Sequence, residues 1–515
     1  MRCIECEEIE LARVRDRRPA QTLPLPCQAI DGFPAGRSPS HLTRRRLMQW
    51  GVAGAASVYA AKELGWEQVW ESVAAAAEAP EKKCVVLLYL AGGNDGLNIA
   101  LPSGGADYSA YVTARPNIHR GQGANADGRV GSWTLPGPGG AALAFANVVV
   151  SGTDNNGGTA GFDTLYGDGT GGPGSDLAVL PAVDAKKYSL SHFDNSDLWF
   201  EASANLNNRT GWLGRWIDRN GDPNNPLQAV SLDTALSKAI RTTTMPVSAI
   251  NSLPMAGFKP TGSLPPSGSN NTPLWNEEVN NLAKVAAGAG NDYLARSRAT
   301  YGLTYTTAQL AGAAYAPPAG TYPTTGTPPV LTTLSRRLQM AAHMIDVLGT
   351  QIITIHWGGF DTHTGQIAAQ DRQFKELSRA LAAFQADLKT RVIDHRVCTL
   401  VFSEFGRRVM ETAGPTVADA GTDHGAGGLM LALGTPVKGG FAADWPGCIP
   451  SKLVPPSPPS NVNQGNLQVP TDYRSVYMSV LRDWLGGNDP ESLIDGGAVD
   501  PLHRGDGQSG LFKTT

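Results

Sequence analysis

The feature that most constrains this chain is a set of short, wholly apolar runs, each joined to a glycine-bearing polar loop. Cys84-Val-Val-Leu-Leu-Tyr-Leu90 leads into Ala-Gly-Gly-Asn-Asp-Gly. Gln351–His356 leads into Trp357-Gly-Gly-Phe-Asp-Thr-His363, Val397–Phe402 leads into Ser403-Glu-Phe-Gly-Arg407, and Leu429–Leu433 follows Gly421-Thr-Asp-His-Gly425. A run apolar at every residue has no solvent face, so these predict strands covered on both sides, as in parallel sheets. Between them the apolar residues recur at helical steps. Leu334–Leu348 is one amphipathic stretch, and Phe374, Leu377, Leu381, Phe384 and Leu388 define one face of another. Strand–helix–strand alternation predicts an α/β fold, a mainly parallel central sheet with helices on both faces, in which ligands sit beyond the carboxyl ends of the strands.

Composition narrows the class. Hydrophobic residues make up 41% and charged residues 17% of the 515, too apolar for a disordered chain and too weakly charged for a coiled coil. The 60 glycines follow no three-residue period, which excludes collagen. A net charge of −4 gives no electrostatic footprint for nucleic acid. Gly, Pro, Asp and Asn concentrate at about 121–175 and 252–272, which read as two insertions in a single domain spanning 80–515. A further helix is expected around Tyr473–Leu485.

The first 79 residues read as an address. Thr43-Arg44-Arg45-Arg46-Leu47-Met48 precedes a weakly apolar, uncharged run, too short for a membrane span, and Ala77-Glu78-Ala79 fits small-x-small cleavage. Paired arginines before such a run resemble the twin-arginine export signal. The expected partner is therefore the twin-arginine export machinery, and the expected location periplasmic or extracellular, with no stable membrane span after cleavage. Of the six cysteines, Cys84, Cys398 and Cys448 lie beyond this leader. Cys84 and Cys398 open apolar strands, where a free thiol packs as a small hydrophobe rather than joining a disulfide framework.

The polar residues at the strand ends carry the chemistry. Asn94 and Asp95 follow the first strand, Asp361 and His363 the second, Ser403 and Glu404 the third, and Asp423 and His424 precede the fourth. A further cluster, Ser189-Leu-Ser191-His192-Phe-Asp194, lies between the insertions. If the strand ends converge on one edge, these carboxylates and neutral imidazoles form a site for a divalent metal.

In this order, Gly92-Gly-Asn-Asp-Gly96, Ser191-His-Phe193, Gly358-Gly-Phe-Asp-Thr-His363, Ser403-Glu-Phe-Gly-Arg-Arg408 and Gly421-Thr-Asp-His-Gly425 resemble the secreted bacterial family catalogued as domain-of-unknown-function family 1501. That family looks like a branch of the alkaline-phosphatase-like superfamily, which includes sulfatases and metal-dependent phosphomutases. The resemblance implies an α/β/α sandwich with one or two divalent cations (Zn, Mg, Ca or Mn) at the strand ends. Asp95, Asp361, His363 and His424 match its metal positions, and Glu404 and, beside His424, Asp423 complete the expected metal set. Glu404-Phe405 stands where the superfamily has an Asp-His pair. Ser191 takes the nucleophile's place, and the sulfatase Cys/Ser-x-Pro-x-Arg motif is absent.

These readings lead to an exported metal-dependent hydrolase of a phosphate or sulfate ester, small or polymeric. Ser191 would be the nucleophile, His192 an acid or leaving-group orienter, and Arg407 an anion clamp. The competing expectation is a non-catalytic secreted or surface protein with a structural or decayed metal site.

Overall fold

The structure is a computed structural model. It describes residues 56–59, 66–77, 82–121, 132–135, 142–151, 160–172, 174–203, 210–251, 322–325, 329–412, 416–454, 465–487, 489–494, 499–505 and 510–514. The Thr43–Met48 motif and the expected insertion at 252–272 lie outside the described residues.

A ten-stranded sheet organises the chain. The Cys84–Ala91 strand is central, flanked in parallel by Ile352–Gly358 and Val397–Phe402. Beyond Ile352–Gly358 come Ala229–Ser231 and Val247–Ile250, both parallel, and then Ala56–Tyr59, which runs antiparallel. On the other side Gly428–Leu433 runs antiparallel between Val397–Phe402 and Leu177–Asp184. Gly440–Phe441 and Thr471–Asp472 both pair in parallel with Leu177–Asp184.

Alternation along the central strand sorts its side chains into two cores. Cys84, Val86, Leu88 and Leu90 pack with the helices Thr333–Leu348 and Gln366–Thr390. Val85, Leu87 and Tyr89 pack with His192–Glu201, Trp212–Asn220 and Tyr473–Ser479. Both faces of the sheet are thus covered by helices, as the apolar strands require. The periodic residues Phe374, Leu377, Leu381, Phe384 and Leu388 are all fully buried. Thr332 caps the Thr333–Leu348 helix by accepting from Ser335 N–H at 3.2 Å, and Gly349, at φ +62°, ends it.

Three features that the sequence reading left open matter. Leu177–Asp184 is a full strand despite Pro181. It tolerates the proline through an irregular register opposite Gly428 and Met430, with Ala182 at positive φ. The described part of the 121–175 segment is not loop alone. Leu143–Ala146 forms the centre of a small sheet with Ala100–Pro102 and Ser132–Thr134, and Phe162–Tyr166 is helical. Two pieces of the expected leader join the fold: Ala56–Tyr59 pairs with Val247–Ile250, and Trp66–Ala77 is a helix with Val73 in the core.

The cysteines behave as expected. Cys84, Cys398 and Cys448 are free and buried, and burial pushes the Cys84 and Cys448 thiols up to about 12. No helix among the described residues is long and apolar enough to cross a membrane.

Candidate metal centre

The site lies at the carboxyl edge of the sheet. Asp361 and His363 follow the Ile352–Gly358 strand, Glu404 follows Val397–Phe402, and the Ser191–His192 turn follows Leu177–Asp184. His424 reaches the same edge by a different route. It sits in the Gly421–Gly425 strand, which forms a hairpin with Gly406–Thr412 and places His424 opposite Arg407. That hairpin feeds Gly428–Leu433, whose reversed direction puts its start, not its end, at the carboxyl edge. Close approach of the loops depends on glycine. A Cβ on Gly92, at φ +120°, would stand 2.3 Å from Asp361 N, and one on Gly421 would stand 2.3 Å from the His363 carbonyl.

Three imidazoles converge on Asp361. His363 Nε2 and His424 Nε2 lie 3.0 and 3.1 Å from Asp361 Oδ1, and 3.1 Å from each other. His192 Nε2 lies 3.6 Å from Asp361 Oδ2. His192, Asp361 and His424 each offer a donor atom within 4.8 Å of the others. Each ring has an acceptor at its far nitrogen. His192 Nδ1 is 2.6 Å from Glu404 Oε1, His424 Nδ1 is 2.9 Å from the Leu190 carbonyl, and His363 Nδ1 is 3.4 Å from Asp423 Oδ1.

These contacts assign the tautomers. A carbonyl can only accept, so His424 carries its proton on Nδ1 and turns a lone pair inward from Nε2. Burial holds its pKa below the ordinary value, so the ring is neutral. The acceptors behind His192 and His363 favour the same orientation. The His424 lone pair and the Asp361 carboxylate, aimed at one point, repel one another unless a proton or a cation joins them. Histidines whose second nitrogen bonds a carboxylate or carbonyl are the usual pattern of metal ligands. The donor set, nitrogen-rich with one carboxylate, fits a borderline cation such as zinc.

The pKa shifts agree with an electron-rich centre. Burial raises the Asp361 pKa, but the close approach of His192, His363 and His424, with the Arg407 charge, holds it far below the carboxylate range. Burial disfavours a charge on His192, yet its bonds to Asp361 and Glu404 prevail and raise it to about 9. Asp361 is 47% exposed, so the centre is open on one side.

The residues expected from sequence divide into groups. Asp361, His363 and His424 meet, and His192, expected as an acid, joins them as a fourth donor. Glu404 and Asp423 stand behind His192 and His363 rather than beside them. Glu404 is fully enclosed, accepting also from Gly92 N at 2.9 Å, so its oxygens orient the ring instead of facing the centre. Asp95 is corrected. Its carboxylate makes a buried bidentate pair with Arg115, at 2.7 and 3.1 Å, and accepts from Gln366 Nε2 at 2.6 Å. Arg407 is corrected as well. Its guanidinium is fully buried and donates to the carbonyls of Gly92, Gly93, Phe360 and Thr422 and to Asp361, so it presents no open face to a substrate. Ser191 caps the His192–Glu201 helix, with Oγ 3.5 Å from Asp194 N. Arg115 and Gln366 were not singled out from sequence. Nothing in their local pattern marks them, because their partners are far away in the chain.

Comparison with curated proteins gives no match. Among solved structures, the alkaline phosphatase from the Antarctic bacterium TAB5 is similar at 11% identity and a TM-score of 0.21, over 68% of this chain and 92% of that one. Residues 307–494 match the model of the family described as "Protein of unknown function (DUF1501)", a stretch that includes Asp361, His363, Glu404 and His424.

Proposed function

We propose that the chain is an exported, metal-dependent hydrolase of a phosphate or sulfate ester, with the cation held by His192, Asp361, His363 and His424. The convergence of three inward-facing imidazole nitrogens on one carboxylate carries this reading. A divalent cation bound there would supply a Lewis acid and lower the pKa of a water in its open position. The chain's own part is to orient the donors. Glu404, Asp423 and the Leu190 carbonyl fix the three rings, and Arg407 fixes Asp361 from behind. With Ser191 in its cap, water rather than a serine is the nucleophile in this reading. Export by the twin-arginine route rests on the Arg44–Arg46 motif.

A second reading, a non-catalytic metal-binding protein, is favoured by the complete burial of Arg407, which keeps it from serving as an anion clamp at the centre. One experiment separates the two. The full chain is purified, its bound metal is measured, and phosphate and sulfate esters are screened. Ester turnover that disappears together with the metal in Asp361→Ala supports hydrolysis. Stoichiometric metal without turnover supports the binding reading. No metal in any preparation would overturn both.

A further inference from the structure

Beside the metal centre is a cavity of about 190 Å³ that none of the residues above explains. Its floor is the same carboxyl edge of the sheet, at Tyr89, His356 and Phe402, and one wall is the His192–Glu201 helix. The walls are aromatic. Tyr89 meets Phe200 edge-on with ring centroids 4.9 Å apart, and Phe402 at 5.6 Å. Phe193, 54% exposed, stands at the cavity immediately after His192, and it is the only aromatic among the large exposed hydrophobics of the described residues. The cavity adjoins the centre through the start of the His192–Glu201 helix, where Phe193 lines the one and His192 joins the other, and the Tyr89 phenol lies near the Glu404 carboxylate behind His192.

The charges around the cavity are matched. Asp197 is paired with Lys238, and Asp233 has Arg337 at 3.5 Å. A neutral, aromatic recess has nothing to hold an anion, but it can hold a ring. A cavity of about 150 Å³ with apolar walls is enough for benzene. Stacked and edge-on aromatic contacts favour a planar guest.

We propose that this cavity binds the aryl group of the substrate, so that the ester is an aryl phosphate or aryl sulfate whose charged end meets the metal centre. The proposal rests on the hydrolase reading for its chemistry. In the reaction, water adds to phosphorus or sulfur, the bond to the aryl oxygen breaks with its electron pair on that oxygen, and the proton released by the water ends on the phenol.

The test uses a product, 4-nitrophenol, so that binding is measured without turnover. Calorimetric titration of the full chain is compared with Ser196→Phe, which fills the cavity from the helix wall, with Ala235→Trp, which closes its exposed rim, and with Asp361→Ala. Metal content reports that the two cavity variants are folded. The expected result is phenol binding in the wild type and in Asp361→Ala, weakened about tenfold or more in both cavity variants, as loss of a buried ring contact implies. The kcat/KM for 4-nitrophenyl phosphate or sulfate should fall by a similar factor, with that for the methyl esters unchanged. Phenol binding that is equal in the wild type and both cavity variants overturns the proposal, as does metal-loaded wild type that binds no phenol. Phenol binding lost in the cavity variants, in a protein that cleaves no ester, supports the cavity and rejects only the hydrolase reading.

Discussion

Replacing Arg407 with methionine separates a structural guanidinium from an anion clamp. Methionine keeps the apolar stem but removes five hydrogen bonds, to Gly92, Gly93, Phe360, Thr422 and Asp361. A hydrogen bond to a charged group contributes roughly 1.5–3 kcal/mol. The five are not additive, and Asp361 is half-exposed, so water takes over part of what is lost. A cost of about 4–6 kcal/mol follows, a large share of the roughly 5–15 kcal/mol that holds a typical domain. The assay is equilibrium unfolding in urea, followed by tryptophan fluorescence with chelator present, so that metal binding does not enter. Arg407→Met should unfold at a much lower urea concentration than the wild type, and Arg407→Lys, which keeps charge but not the fork, should lie between them. An unchanged midpoint in Arg407→Met, combined with lost ester turnover, would refute the reasoning and return Arg407 to the substrate.

Other consequences are as direct. Glu404→Gln should weaken metal binding about 10–100-fold, because an amide cannot hold the His192 tautomer as a carboxylate does; competition with a chromogenic chelator measures this. Asp95→Ala should cost about 3–5 kcal/mol by stranding the buried Arg115 guanidinium, and metal affinity measured on the folded protein should change little. Asp184 titrates in the physiological range. Burial raises its pKa to about 7, with the bonds from Ala185, Asn195 and Gly427 working against the rise. Between its unfolded value and about 7 the folded chain keeps a proton that the unfolded chain releases, so stability falls as pH rises through that window. Asp184→Asn should remove about 1.4 kcal/mol per pH unit from that slope, a difference readable from urea midpoints at pH 4.5, 5.5 and 6.5.

Much of this architecture is legible in the order of residues, and the exceptions have physical causes. Val397–Phe402 and the Phe374–Leu388 helical face are visible because local periodicity and burial coincide there. Leu177–Asp184 is hidden by Pro181, and Ala229–Ser231 is too short to show a pattern. His363 and His424 can be read as candidate site residues because glycine loops mark strand ends. The direction of Gly428–Leu433, which brings His424 to the right edge, is a property of the sheet and not of any local run. Polar identity alone does not separate donors from supports. Asp95 and Asp361 look alike in sequence, and only the distant Arg115 commits one of them to the interior.

The pairing order of the central sheet also bears on how fast the protein comes apart. Cys84–Ala91 has neighbours drawn only from the distal half of the chain, and the four proposed metal donors come from the 192, 361–363 and 424 regions. No short fragment holds the site, so its donors meet only after the slow, non-local strand pairings have formed. A cation bound at that late-forming edge would fasten the chain like a clasp. Adding chelator to the native protein should therefore accelerate unfolding while leaving the refolding rate nearly unchanged.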